Sequence, residues 1–167
     1  MPEVIARIQS GKYEDVLAAV QSPVIALTEL IKNASDSCQN TEDPIIVNID
    51  TVKREITITD SGRGFSKDDL EHLGEAGYSS KMIGDNTRSP INNPLAGSKG
   101  LGLLTAFFIA DTLEIKTYSE ADKKSFFLEW RRGSQRYSFE EIESEFFGTV
   151  VTLKDVASES PRRKGVK

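Results

Sequence analysis

The order of the strand-like and helical segments constrains the fold of this chain more than any other feature of its sequence. The segments "PIIVNID" (44–50) and "REITITD" (54–60) follow each other directly, and four further strand-like segments lie between residues 112 and 155. Short runs in which apolar and polar residues alternate, separated by tight turns, are typical of paired strands. This order differs from the strict strand–helix alternation of a doubly wound sheet. It predicts an α+β fold, a two-layer α/β sandwich with helices on one face of a mixed, mostly antiparallel sheet.

The clearest helical pattern is "SPVIALTELIKNASDSCQ" (22–39). Ser22 is suited to be its N-cap, and Pro23 is suited to its first helical position. Spacing of i, i+4, i+7 and i+11 predicts one apolar stripe. That stripe consists of Leu27, Ile31, Ala34 and Cys38.

Two other helices are predicted further along the chain. One is short and lies within "KDDLEHLGEAG" (67–77), and the other runs from a glycine cluster to about Ala110. The segment before Ser22 also has apolar spacing suited to a helix. The two alternatives for this helix are packing within the chain and contact with a partner subunit.

Composition limits the classes of protein to which the chain can belong. Its 167 residues carry a net charge of −5, one Cys and one His. One Cys excludes an internal disulfide and a zinc site built from Cys, and one His excludes a His cluster. The lack of a basic excess argues against a domain that grips nucleic acid by itself. No apolar run is long enough to span a bilayer, and no signal-peptide core is present, so we expect a cytoplasmic protein without a membrane segment.

The chain length predicts one main domain, at residues 1–156. Residues 157–167 contain Ser and Pro and then become basic. Such a change of composition is typical of a linker or a truncated C-terminal end.

A glycine cluster opens the segment "AGSKGLGLLTAFFIAD" (96–111). Glycines at a helix N-terminus allow close backbone approach to an anion, which the free amides and the helix dipole then favour. The position of the lysine excludes a P-loop, and the preceding loop excludes the dinucleotide fingerprint, which requires a strand there. A plain helix-start loop is the alternative.

Three polar residues of the first helix share a second stripe: Glu29, Asn33 and Asp36. The Asn33 carbonyl oxygen is a suitable Mg²⁺ ligand, because this ion takes one or two protein oxygens together with water and phosphates. The Glu29 carboxylate, one turn earlier, is suited to position a water molecule and take its proton. A solvated helix face is the alternative.

Two strand residues are expected to send polar groups toward the apolar face. Asp60 shares the parity of Ile56 and Ile58, and Thr149 shares the parity of Val151 in its own strand. A buried carboxylate needs hydrogen-bond donors, which are either the amides of the following turn or the amine of a bound purine. For Thr149, the alternative is a β-branched residue that fills a strand.

Taken in order, four motifs resemble one family. "ELIKNASD", "DSGRGF", "GSKGLG" and "GT" are similar to the N-box, the two glycine boxes and the closing Gly-Thr of the GHKL ATPases. These include the gyrase B subunit, the ninety-kilodalton heat-shock chaperones, the MutL mismatch-repair proteins, the MORC proteins and sensor histidine kinases. The resemblance covers about residues 22–153, and four ordered motifs are more specific than any single glycine pattern.

The resemblance implies the Bergerat ATP-binding fold and a role for each matching residue. Asp60 would bind the adenine amine with Thr149 close by, Asn33 would ligate Mg²⁺, and Glu29 would activate the attacking water. Gly62 and Gly64 would shape the adenine floor. The remaining implied nucleotide contacts are Asp36, Lys81, Gly97, Ser98, Lys99, Gly100, Leu101 and Gly102. The alternative for Lys81 is a solvated side chain that does not contact the nucleotide.

The resemblance also narrows the activity. Histidine kinases usually lack the Glu that stands here as Glu29, so the chain is nearest the hydrolysing MORC-like and heat-shock-like branch. Some relatives use a second, transducer domain and dimerise when they bind ATP. For the full-length protein the resemblance implies an ATP-dependent homodimer, and we expect 1–167 to be an ATP-binding domain without its transducer. The resemblance therefore implies an ATP-gated clamp or chaperone-like module. A module that binds ATP or ADP without hydrolysis, or a histidine-kinase catalytic domain, is the alternative, and the sequence does not identify a protein or nucleic-acid client.

Overall fold

A computed structural model of the chain describes residues 3–5, 22–73 and 102–157. The described helices are α1 (Pro23–Ser37), α2 (Lys67–Glu71) and a 3₁₀ helix (Gly102–Phe108). The described strands are β1 (Glu3–Ile5), β2 (Ile46–Asp50), β3 (Glu55–Asp60), β4 (Thr112–Ser119), β5 (Lys124–Arg131), β6 (Arg136–Ile142) and β7 (Thr149–Lys154).

The strands form one sheet of seven, in the order β1-β6-β5-β4-β7-β3-β2. Each of the neighbouring pairs in that order is antiparallel. The α+β fold class and the mostly antiparallel sheet are therefore confirmed, and no parallel pair occurs among the described strands.

One face of the sheet carries the core. In β3, β4 and β7, alternate residues are buried and the residues between them are exposed or half-buried. Buried side chains from α1, α2 and the 3₁₀ helix join the inward-facing strand residues in a single cluster. The helices thus cover one face, as a two-layer sandwich requires.

The strand registers arrange the inward side chains in rows across the sheet. Two rows near one end are apolar. Their central members are Trp130, Leu113, Leu153 and Ile56 in the first row, and Leu128, Ile115, Val151 and Ile58 in the second row. The third row contains Phe126, Thr117, Thr149 and Asp60, so it begins apolar and becomes polar. This third row is the part of the sheet that hydrophobic packing alone does not explain.

Hydrogen bonds stabilise both ends of α1. The Ser22 hydroxyl accepts a hydrogen bond from the Ile25 amide at 3.3 Å, and Pro23 follows in the first turn. The helix ends where Cys38 becomes extended. The Arg63 amide then donates to the Ser37 carbonyl at 3.2 Å, which joins the end of α1 to the loop after β3.

The structure corrects three local predictions. The apolar stripe of α1 is centred on Ala26, Leu30 and Ala34, because these residues are buried while Ile31 is only half-buried. The short helix α2 ends at Glu71, before the predicted end of its segment. Val4 and Ile5, which begin the predicted helical segment 4–20, lie in strand β1 beside β6. Local spacing could not indicate this strand, because its partner lies far along the chain.

The helix after the glycine cluster is also tighter than predicted. It is a 3₁₀ helix, and the residues from Leu103 to Phe107 are all buried. Because consecutive residues on every side of this helix are buried, its apolar residues show no periodicity. The sequence therefore does not distinguish a 3₁₀ helix, with 3.0 residues per turn, from an α-helix with 3.6. The rest of the predicted N-terminal helical segment, at 6–20, lies outside the described residues.

Candidate functional site

The polar row at the end of the sheet contains a buried carboxylate beside buried hydroxyls. Asp60 of β3 lies opposite Thr149 of β7, and Thr149 lies opposite Thr117 of β4. Asp60 is 5% exposed and Thr149 is 2% exposed, which confirms the face predicted for both residues. The Thr117 and Thr149 hydroxyl oxygens are 2.8 Å apart and share one hydrogen bond.

Local backbone amides satisfy part of this row. The Gly62 amide donates to Asp60 Oδ1 at 2.9 Å, so the turn interpretation of Asp60 is correct for one of its oxygens. The Phe65 amide donates to the Thr117 hydroxyl at 3.0 Å. A carboxylate has about four acceptor positions, so a hydrogen bond from the turn does not prevent it from also accepting one from an exocyclic amine.

The glycines of "DSGRGF" are required by the protein packing around this row. A Cβ on Gly62 would lie 2.5 Å from the Ser37 carbonyl oxygen. Gly64 has a φ of +74°, and a Cβ there would lie 1.8 Å from the Tyr118 carbonyl oxygen. The loop after β3 therefore fits between the end of α1 and the end of β4, and the predicted adenine floor at these glycines stays a prediction.

Gly148 brings β7 close to β3. Its φ is +97°, and an added Cβ would lie 2.0 Å from the Asp60 carbonyl oxygen. The Tyr118 amide donates to the Gly148 carbonyl at 2.9 Å. The close neighbour that this glycine permits is the backbone at the end of β3.

The polar stripe of α1 lies beside the start of the 3₁₀ helix. A Cβ added to Gly102 would lie 3.3 Å from Asn33 Nδ2 and 3.7 Å from Glu29 Oε2. The Thr105 hydroxyl lies 2.5 Å from the Gly102 carbonyl of its own helix and 3.4 Å from the Ala26 carbonyl, which places the 3₁₀ helix against α1. Glu29 and Asn33 are half-buried and Asp36 is buried, so the stripe is not a solvated helix face.

Glu29 has a partner on its own helix. Lys32 Nζ lies 3.0 Å from Glu29 Oε1, and the two side chains are 43% and 30% exposed respectively. The region therefore contains three carboxylates, from Glu29, Asp36 and Asp60, together with the ammonium of Lys32.

Cys38 is buried at the end of α1. Its thiol donates to the Ala34 carbonyl at 3.4 Å. Burial raises the pKa of the Cys38 thiol, and the negative charges of Asp60 and Asp43 raise it further. The side chain is therefore a protonated packing residue, in agreement with its structural interpretation from the sequence.

Sequence reasoning missed two residues of this region. Thr117 shares the parity of Leu113 and Ile115, the same signal that identified Asp60 and Thr149. Lys32 stands between Glu29 and Asn33, and only the ion pair makes it visible.

Six predicted nucleotide contacts lie outside the described residues: Lys81, Gly97, Ser98, Lys99, Gly100 and Leu101. Gly102 is the described member of that glycine cluster.

The chemistry of the described side chains bears on metal binding. Within residues 3–5, 22–73 and 102–157, no group of three or more His, Cys, Asp and Glu side chains is placed to hold a metal ion. The Asn33 amide oxygen is a ligand type that Mg²⁺ takes together with water and phosphate oxygens. None of the helices in the described part of the chain is long and apolar enough to cross a membrane.

Comparison with known proteins identifies the family. The family of histidine kinase-, DNA gyrase B- and HSP90-like ATPases matches residues 21–158, which include α1, the polar row and the 3₁₀ helix. The chain belongs to this ATPase family. The resemblance inferred from the four motifs is confirmed.

Chaperones are among the curated relatives of this chain. It is 29% identical to the chaperone protein HtpG of Idiomarina loihiensis over 160 residues, 81% of the chain and 25% of the relative. It is 30% identical to HtpG of Citrobacter koseri over 77% of the chain and 24% of the relative, and 31% identical to HtpG of Bacillus velezensis over 78% and 23%. These relatives support the heat-shock-like branch, and the chain spans about a quarter of their length.

Proposed function

We propose that this chain binds ATP with Mg²⁺ and hydrolyses it, as the ATP-binding domain of a chaperone-like protein. The observation that carries the proposal is the buried Asp60 carboxylate, which lies opposite Thr149 in a chain of the ATPase family. The HtpG relatives are chaperones by name, which supports the chaperone-like assignment.

Asp60 and its neighbours are proposed to recognise adenine. The carboxylate accepts a hydrogen bond from the purine amine, while the Gly62 amide holds its other side. The Thr149 hydroxyl, fixed by Thr117, is placed for a second contact, direct or through water. A buried hydrogen bond to a charged group contributes about 1.5–3 kcal/mol, enough to make the base specific.

The α1 stripe is proposed to carry the hydrolysis. The Glu29 carboxylate takes a proton from water as the water oxygen bonds to the γ-phosphorus, and the bond to the β,γ-bridging oxygen breaks to release ADP. Asn33 offers its amide oxygen to Mg²⁺, which neutralises charge on the phosphate oxygens when bound. Gly102, beside both side chains, keeps the space in which the phosphates lie.

Calorimetric titration of Mg²⁺–ATP into the wild-type domain and the variant D60N tests the adenine site. Asn keeps an acceptor for the Gly62 amide but places an NH₂ group toward the purine amine, so we expect binding about 10- to 100-fold weaker. D50N is the matched control, because Asp50 Oδ1 accepts the Val52 and Lys53 amides in a similar turn away from the site. Equal affinity of wild type and D60N would refute the adenine assignment.

Phosphate release measured on the same protein separates hydrolysis from binding. Tight ATP binding with only background phosphate release would favour the alternative function, a nucleotide-dependent interaction module. The cytoplasmic location, the ATP-dependent dimer and the contribution of a second domain remain predictions from the sequence and its resemblance. The boundary near residue 156 also remains a prediction. The Ala157 amide, one residue further on, still donates a hydrogen bond to the Ile109 carbonyl.

A further inference from the structure

The two oxygens of the Glu29 carboxylate have different neighbours, and Lys32 contacts one of them. Its ammonium lies 3.0 Å from Oε1. The other oxygen, Oε2, faces Gly102, where a Cβ would lie 3.7 Å from it. The carboxylate is therefore oriented, with one oxygen on a cation and the other toward the start of the 3₁₀ helix.

The stability that this pair contributes is too small to explain its position. Both side chains are half-buried, and pairs of this spacing on a helix that remain accessible to solvent contribute only a few tenths of a kcal/mol. Glu29 belongs to the polar stripe of α1 that also contains Asn33, and Lys32 directly precedes Asn33 in the helix. The location of the pair points to the orientation of Glu29 as its effect.

We infer that Lys32 is a positioning residue for Glu29, which holds Oε2 toward Gly102 as the oxygen that receives the proton of the attacking water. This inference rests on the proposed hydrolysis. A glutamate side chain has three rotatable torsions, and a general base must lie within hydrogen-bond distance of the proton it takes. The ion pair selects the side-chain conformation that meets this requirement before ATP arrives.

The inference predicts a specific kinetic pattern. Loss of the ammonium leaves the ATP-binding residues in place but lets the Glu29 side chain rotate. We expect kcat to fall about three- to tenfold, a part of the 10²- to 10⁴-fold that a general base supplies, while KM and the Kd of ATP stay unchanged. A lysine that bound the phosphates directly would give the opposite pattern, a weaker Kd.

The experiment compares K32M, K32R and the control K53M in the same chain. Met keeps the length of the side chain without its charge, Arg keeps the charge, and Lys53 is exposed in the turn after β2. Phosphate release at saturating Mg²⁺–ATP, calorimetric Kd and thermal unfolding are measured for each. We expect a lower kcat with an unchanged Kd in K32M, a kcat close to that of wild type in K32R, and wild-type values in K53M. The unfolding temperatures of all four proteins should be similar.

A double variant removes the remaining ambiguity. If Lys32 acts through Glu29, then E29Q/K32M turns over no more slowly than E29Q, whereas independent effects would multiply. Unchanged kcat in K32M, a weakened Kd in K32M, or multiplied losses in the double variant would each overturn the inference while leaving hydrolysis by Glu29 standing. Absence of turnover in the wild type, or full turnover in E29Q, would overturn the proposed hydrolysis mechanism and the role of Lys32 together.

Discussion

Asp60 and Thr149 are direct partners across the β3–β7 pair, and both side chains are buried on the face that the helices cover. The carboxylate oxygen Oδ1 is held by the Gly62 amide, and the hydroxyl of Thr149 is held by Thr117. Each polar group in this pair is thus fixed by the protein before any ligand binds. Preorganisation of this kind reduces the entropy lost on binding, which favours a specific recognition site.

Glu29→Gln tests the proposed base. The amide keeps the size of the side chain but does not take a proton, so turnover is expected to fall by about 10²- to 10⁴-fold while ATP binding is retained. Phosphate release and calorimetric titration measure the two properties separately. The control is E42Q, since Glu42 is an exposed glutamate in the turn before β2. Turnover of E29Q at the level of E42Q would exclude Glu29 as the base.

Gly102→Ala tests the space beside Glu29 and Asn33. The new methyl would lie 3.3 Å from Asn33 Nδ2, so these side chains must shift by a few tenths of an ångström. Small displacements of reacting groups are expected to reduce turnover about 10- to 100-fold. The free energy of unfolding should change by less than about 1 kcal/mol, because Ala favours a helix over Gly by up to that amount.

The control for Gly102→Ala is Gly133→Ala. Gly133 has a φ of +73°, and nothing lies within 4 Å of its added Cβ. Backbone strain there is expected to lower the free energy of unfolding by about 1 kcal/mol without any change in turnover. A G102A variant with wild-type turnover would show that the contact with α1 is not part of the reaction site.

Thr117→Val tests the hydroxyl pair behind the predicted adenine site. Removal of the hydroxyl leaves the Phe65 amide and the Thr149 hydroxyl without this partner. An unsatisfied buried polar group costs about 1–3 kcal/mol, so the midpoint of urea unfolding should fall and ATP affinity should weaken. T117S, which restores the hydroxyl, should recover both properties. If T117V and T117S behave alike, the hydroxyl has no role.

Stability above neutral pH tests the environment of Cys38. Burial, followed by the charges of Asp60 and Asp43, raises the pKa of this thiol in the folded chain. Between the thiol pKa of the unfolded chain, about 8.5, and the higher folded value, the unfolded state binds fewer protons, so stability falls as pH rises through this window. Urea unfolding of wild type and C38A from pH 7 to pH 10 measures the effect.

The difference in unfolding free energy between wild type and C38A is expected to decrease with rising pH, because C38A lacks the thiol. Thiol reagents at pH 8 should also react with native Cys38 only as fast as the chain opens, since the thiol is buried. A pH-independent difference between the two proteins would contradict the raised pKa.

The sequence alone determined the positions of most strands and the face to which their polar residues point. The period of two along a strand depends only on local backbone geometry, so the parity of Asp60 with Ile56 and Ile58 was sufficient to predict its burial. The N-cap at Ser22 was equally local, because its partner amide lies three residues away.

The tertiary structure decided which strands and helices are neighbours. Only the placement of β7 between β3 and β4 brings Thr149 against both Asp60 and Thr117, and strand pairing over such distances leaves no periodic signal in the chain. In the same way, Gly102 meets Glu29 because the 3₁₀ helix packs on α1. Local spacing sets the direction of a side chain, but its neighbours depend on non-local packing. The burial of individual residues therefore followed from spacing, whereas their assembly into one site was indicated only by the resemblance to a known family and was placed by the tertiary structure.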